Sequence, residues 1–170
     1  MVLLISMATA LSAPSALEAT ISIAETQQPG CRAHVQSSCE ALVATAVMLK
    51  DGVNPLLKDA GFDDVAFAPS PEVARPYLEV ACKADSAFGC SVLASMLAAG
   101  EGGRAEPSRA VAILERTCEA GSALGCGTLA RLLTEGKGIA ADPARAKKLA
   151  ARACSDGAAF ACTLAHGGAP

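Results

Sequence analysis

Apolar residues recur at helical spacing in two matched stretches, Leu93, Ala94, Met96 and Leu97, then Leu129, Ala130, Leu132 and Leu133. Spacing of i, i+3, i+4 gives one buried stripe per helix, so each stretch is read as an amphipathic helix. Glycine stops both. Gly100 and Gly136 stand where a helix C-terminus takes a left-handed residue, and the Gly-x-Gly that follows lets a short loop turn back. A second helix then opens at Ser70-Pro71, Glu106-Pro107 and Asp142-Pro143. Proline at the first helical position loses no hydrogen bond, and its fixed φ suits the helix. Ser70 and Asp142 are good N-caps, Glu106 a poorer one. No strand pattern interrupts this alternation, so the chain is expected to be all-α.

The pattern is periodic. Cys82 to Thr117 aligns with Cys118 to Ala153 without a gap, matching Ala84/Ala120, Ser86/Ser122, Gly89/Gly125, Leu97/Leu133, Pro107/Pro143 and Arg109/Arg145. A period of 36 residues is in the range of stacked supersecondary units and predicts an α/α solenoid of helix-turn-helix repeats. Behind Cys82 the first unit is expanded. Cys39 to Cys82 spans 43 positions where Cys90 to Cys118 spans 28, so fifteen residues are inserted within about 50–70. The insertion carries Val53, Leu56, Leu57, Phe62, Val65 and Phe67, too apolar for a disordered linker. A short helix near Asn54 to Ala60, capping the array, is expected there.

Eight cysteines fall into four pairs, Cys31/Cys39, Cys82/Cys90, Cys118/Cys126 and Cys154/Cys162, each with seven residues between. A turn centred near Ser86, Ser122 or Ala158 puts each cysteine one helical turn down either arm of an antiparallel hairpin, where the two face each other. Disulfides are therefore expected, each stabilising by roughly 2.5 kcal/mol on the loop-entropy estimate. Zinc sites favour two to four residues between ligands and usually add histidine. Here His34 and His166 lie near opposite ends and recur in no repeat, so no metal and no cofactor is expected. C-x-x-C is absent, which leaves no reactive-thiol motif.

Disulfides require an oxidising compartment. Residues 1–19 contain an apolar run from Val2 to Ala13, then Pro14 to Ala19, and are read as a secretory signal cleaved after Ala19, although no Lys or Arg precedes Arg32. The run is short for a membrane span. Residues 20–30 are expected as a flexible linker, 31–166 as the repeat array and 167–170 as a disordered tail. The protein is expected to be secreted or periplasmic.

Composition refines the picture in two ways. The chain is 52% hydrophobic but only 3% aromatic, as closely packed helices with small contact residues would be. Its net charge of −3 lacks the basic surplus of nucleic-acid binders, and the Arg145, Lys147, Lys148 and Arg152 cluster is read as a solvated helix face.

The leucine-alanine stretch, the Gly-x-Gly, the Asp-Pro or its equivalent and the terminal cysteine together resemble the Sel-one-like repeat, a relative of the tetratricopeptide repeat. The cysteine spacing is similar to that of its disulfide-rich branch, the Helicobacter cysteine-rich proteins. The resemblance covers Cys31 to about His166. It implies a right-handed superhelix whose concave face, lined by the first helix of each unit, binds proteins or peptides. Two features depart from the family. Its common tyrosines are replaced by Leu97, Leu133, Ile113 and Leu149, leaving Tyr77, and the positions where the branch carries a backbone-clamping asparagine are Ala41, Val92 and Thr128.

The resulting expectation is a non-catalytic interaction scaffold with Ser95, Arg131 and the insertion as candidate partner contacts. No catalytic residue is expected. The alternatives are β-lactamase-like or penicillin-binding activity, a label members of the branch often carry, and a structural envelope role with self-association through the C-terminal repeat. Ser-x-x-Lys and G-x-S-x-G, which would activate a serine, are both absent from the chain.

Overall fold

The computed structural model describes residues 16–51, 70–136 and 138–168. Among them are eight helices and no strand: α1 Ala16–Arg32, α2 Gln36–Asp51, α3 Pro71–Lys83, α4 Ala87–Ala99, α5 Pro107–Glu119, α6 Ala123–Glu135, α7 Pro143–Ser155 and α8 Ala159–Ala165. Each helix packs on the next. The first helices of successive units also touch one another, α2 on α4, α4 on α6 and α6 on α8. This is a solenoid of stacked hairpins.

The hairpin turns are built alike. The backbone N–H groups of Val35, Ser86, Ser122 and Ala158 donate to the carbonyls of Gly30, Ala81, Thr117 and Ala153, satisfying carbonyls orphaned at the end of each second helix. Ser86 and Ser122 then cap the next helix, their Oγ atoms accepting from Gly89 N–H at 3.2 Å and Gly125 N–H at 3.1 Å. Across each turn stands a disulfide, Cys31–Cys39, Cys82–Cys90, Cys118–Cys126 and Cys154–Cys162, with Cα atoms 4.4, 4.4, 4.5 and 4.8 Å apart. The first three are buried, and Cys154 and Cys162 are half-buried.

At the opposite edge, Glu106 N–H donates to Leu97 and Asp142 N–H to Leu133, each bond spanning nine residues. Ser70 N–H makes the same bond to Leu49 across twenty-one. Twelve of the inserted residues therefore fall between the two bonded positions, and three lengthen α2, which has 16 residues against 13 in α4. The expected helix at Asn54 to Ala60 falls outside the described residues, as does most of the expected signal segment. Gly100 and Gly136 close their helices with φ of 75° and 64°. Asp142 caps α7, accepting from Arg145 N–H at 2.9 Å, whereas Ser70 and Glu106 stand at N-cap positions without a side-chain cap bond.

Residues 20–30 differ from the linker expectation. They are the body of α1, because Leu17, Ile21, Ala24 and Cys31 meet the core on one face and tertiary burial outweighs the loop-like Gln27-Gln28-Pro29-Gly30. Residues 167 and 168, expected in the tail, are bound back onto α8, Gly167 N–H to Leu164 and Gly168 N–H to Thr163.

The core is leucine and alanine, with Leu42, Leu49, Leu78, Leu93, Met96, Leu97, Leu114 and Leu129 fully enclosed. Along the second helices runs an ionic ladder. Glu79 pairs with Arg109 at 3.2 Å and Glu115 with Arg145 at 2.7 Å, the same contact one repeat on. Arg75 adds Glu106, which also takes Arg109 at 3.4 Å. The Arg75 hydrogen bond above all holds the Glu106 carboxyl below the usual carboxylate range; desolvation opposes it, and the Arg109 hydrogen bond adds a smaller lowering.

Two predictions follow from these contacts. A Cβ on Gly102, which has φ of +71°, would stand 2.4 Å from the Pro71 carbonyl oxygen, while one on Gly121, with φ of +91°, would meet nothing within 4 Å. Gly121→Ala should cost roughly 1 kcal/mol for its left-handed backbone, and Gly102→Ala about 2 kcal/mol more, as read by chemical denaturation of the oxidised protein. Because the folded pKa of Glu106 is depressed, its stabilisation is present above the ordinary carboxylate pKa and is lost as pH falls through the folded value. Arg75→Gln should move the Glu106 carboxyl resonance titration upward toward the ordinary range, and an unchanged titration would refute the pairing.

Candidate protein-interaction face

Stacking places one stripe of each first helix beside the next, half-buried at most of its positions. The repeat register aligns Ala41, Val92 and Thr128, then Ala44, Ser95 and Arg131, across α2, α4 and α6. Ala41 and Val92 are half-buried, while Thr128 is buried at 5% exposure. The surface is therefore shallow and mostly apolar, with small side chains over the enclosed leucines.

Ser95 and Arg131 meet on this face. Arg131 Nη2 donates to Ser95 Oγ at 3.0 Å, and Ser95 Oγ in turn donates to the Ser91 carbonyl at 3.0 Å. The other guanidinium nitrogen pairs with Glu135 at 3.3 Å. The side chain of Arg131 is 35% exposed, so the guanidinium is oriented by two neighbours and still reaches solvent. A planar cation held this way can offer paired donors to a carboxylate or to backbone carbonyls of a docked chain.

The positions that depart from the family tyrosines are structural. Leu97 is fully enclosed, Leu133 is buried at 5% exposure, and Ile113 and Leu149 pack half-buried between units. Tyr77 packs against the core, and burial first, then the charge of Glu25, raises its phenol above the ordinary value. The periodicity aligns Ser95 with Arg131, but their hydrogen bond depends on side-chain reach that spacing does not reveal. The ladder contacts were missed because their partners lie 30 positions apart rather than one period.

Among the described residues there is no group of three histidine, cysteine or acidic side chains able to hold a metal ion. Nor, among them, is any helix long and apolar enough to cross a membrane.

No protein-family model matches the chain, and no curated protein does. Solved structures do. The fold is similar to that of Helicobacter pylori cysteine-rich protein B, with a TM-score of 0.57 at 19% identity, over 90% of this chain and 99% of that one. It is also similar to a Sel1 repeat protein from Oxalobacter formigenes, with a TM-score of 0.53 at 20% identity, over 81% of this chain and 92% of that one. These likenesses, with the four disulfide-closed hairpins, establish the fold as an all-α solenoid of the Sel1-repeat type.

Proposed function

We propose that the protein is a non-catalytic interaction scaffold of an oxidising compartment, secreted or periplasmic, that holds a protein partner against the shared face of its first helices. The observation that carries this reading is the oriented Arg131, set by Ser95 and Glu135 in an otherwise small and apolar surface. Such a surface has shape and one directional polar contact with which to hold a partner. The fold shared with a cysteine-rich protein and a Sel1 repeat protein supports a repeat surface as the working part. Four disulfides with no free cysteine among the described residues support the compartment.

Export is tested by intact mass of the protein recovered from the cell envelope, with thiols alkylated before and after reduction. The expected result is no alkylation before reduction, eight modified cysteines after it, and a chain beginning near Thr20. Eight free thiols on an uncleaved chain would overturn the compartment. A cut after Ala19 would remove the first turn of α1 with Leu17, which packs on the core, and leave the rest of that helix.

The face is tested by a photocrosslinking residue at Val92, with the same residue at Ala112 on the outer helix as control, in cells making the oxidised protein. A partner should be captured from position 92 and not from 112, and Arg131→Glu should reduce its yield at least fivefold. Arg131→Ala should change folding stability by less than about 1 kcal/mol, as for other partly exposed ion pairs, so the loss reads binding. Equal capture at both positions, or capture indifferent to Arg131, would defeat the assignment.

A further inference from the structure

Each hairpin turn contains one residue in the left-handed conformation, three positions after its first cysteine. In the third and fourth turns it is Gly121 and Gly157, with φ of 91° and 98°. In the first and second it is His34 and Asp85, with φ of 60° and 61°, the described non-glycine residues with positive φ. Glycine meets that requirement without strain. The two turns that carry side chains there are neighbours, and a pair of adjoining grooves lies between them.

One groove, of about 370 Å³, is lined by Arg32, His34 and Lys83 with Val80 and Ala84. The other, of about 510 Å³, is lined by His34, Gln36, Glu40, Asp85, Ser86 and Phe88, with Ala84 at the junction. They share His34 and Ala84 and differ in sign. The first carries two cations and no carboxylate, and the second two carboxylates and no cation. Arg32, Lys83 and Asp85 form no ion pair with any described residue, and Glu40 accepts only the Gln36 amide at 3.0 Å. Ser86 is occupied as the cap of α4. Phe88, 51% exposed, adds an open apolar surface at the carboxylate end.

Helix dipoles account for part of this, since Arg32 and Lys83 sit in the last turns of α1 and α3, where cations are favoured. They do not account for side chains at the left-handed positions. The geometry points to a binding site for a peptide segment that crosses the turn edge between the first two hairpins, with an acidic side chain toward Arg32 and Lys83 and a basic one toward Glu40 and Asp85. The basic side chain would also lie against the Phe88 ring, a favourable place for a cation. Paired helices stand about 8–10 Å apart, which an extended chain covers in about three residues. The recognised feature is thus an acid and a base two or three positions apart. This assignment rests on the interaction role proposed above and gives it a second, separate contact surface.

The test uses the oxidised full chain, labelled with ¹⁵N, titrated with a capped octapeptide holding one Glu and one Arg separated by two alanines. The control peptide has Gln at both positions. Amide shifts at His34, Ala84 and Asp85 are expected with the charged peptide, at an apparent affinity at least fivefold above the control. Asp85→Gly places glycine where the later turns already have it, so its melting temperature should not fall. It should weaken the charged peptide at least threefold, as should Lys83→Gln. No shift at the turn edge, equal response to the control, or full binding by both variants would overturn the site. Shifts confined to Ser95 and Arg131 would also overturn it while leaving the first-helix face standing, whereas failed crosslinking at Val92 with a responsive turn edge would do the reverse.

Discussion

Closure of each hairpin by its cysteine pair is the constraint on which the array depends. With one tyrosine, four phenylalanines and no tryptophan, the chain has few large side chains to bury. Its second helices meet the core largely through alanine, as at Ala74, Ala110, Ala146 and Ala150. Small contacts let helices approach closely but contribute little apolar area per residue. A disulfide eight residues long in separation offsets this locally, at roughly 2.5 kcal/mol each on the loop-entropy estimate. That is comparable with burying one large aliphatic side chain.

The staple also sets what the rest of a unit can be. With both arms of a hairpin fixed at Cα separations of 4.4 to 4.8 Å, the orientation of each first helix relative to the second helix before it is settled at the turn. The opposite edge is then free to vary in length. It does so in the first unit, where Ser70 N–H finds Leu49 across twenty-one positions and still reproduces the bond made by Glu106 and Asp142. An insertion at that edge therefore leaves the stacking register of α2 on α4 intact. The ionic ladder acts on the other side of the same stack, tying second helix to second helix through Glu79–Arg109 and Glu115–Arg145. Being largely solvent-facing, it fixes register more than it adds stability.

Much of this was legible because the information is repeated. Pro107 and Pro143, Gly100 and Gly136, and the cysteine pairs give helix starts, stops and staples from spacing alone. Legibility failed where a residue's role depends on a neighbour rather than on its own type. Gln27 to Gly30 read as a loop, yet Ala24 and Cys31 are wholly enclosed and carry the helix through Pro29. Ser70 has the composition of a cap, but its backbone is committed to Leu49 and its side chain makes no cap bond. Of the candidate contacts, Ser95 and Arg131 lie half-buried on first helices. Their mutual hydrogen bond, which orients the guanidinium, depends on side-chain reach between two helices that spacing does not encode.

The repeats are equivalent in backbone and unequal in chemistry, and the inequality is where recognition can reside. A solenoid of identical units would present the same surface at every step and could not register a partner along its axis. Here the aligned position on the first helices runs Ala44, Ser95, Arg131, so the single directional donor falls on the third of them and is held by the second. The turn positions run His34, Asp85, Gly121, Gly157, so side chains at this position occur only in the first two turns. Because the staples fix the backbone at both places, neither set of side chains has to contribute to folding. They are free to differ, and a rigid frame holding two distinct, separated polar features gives a partner both an orientation and a register.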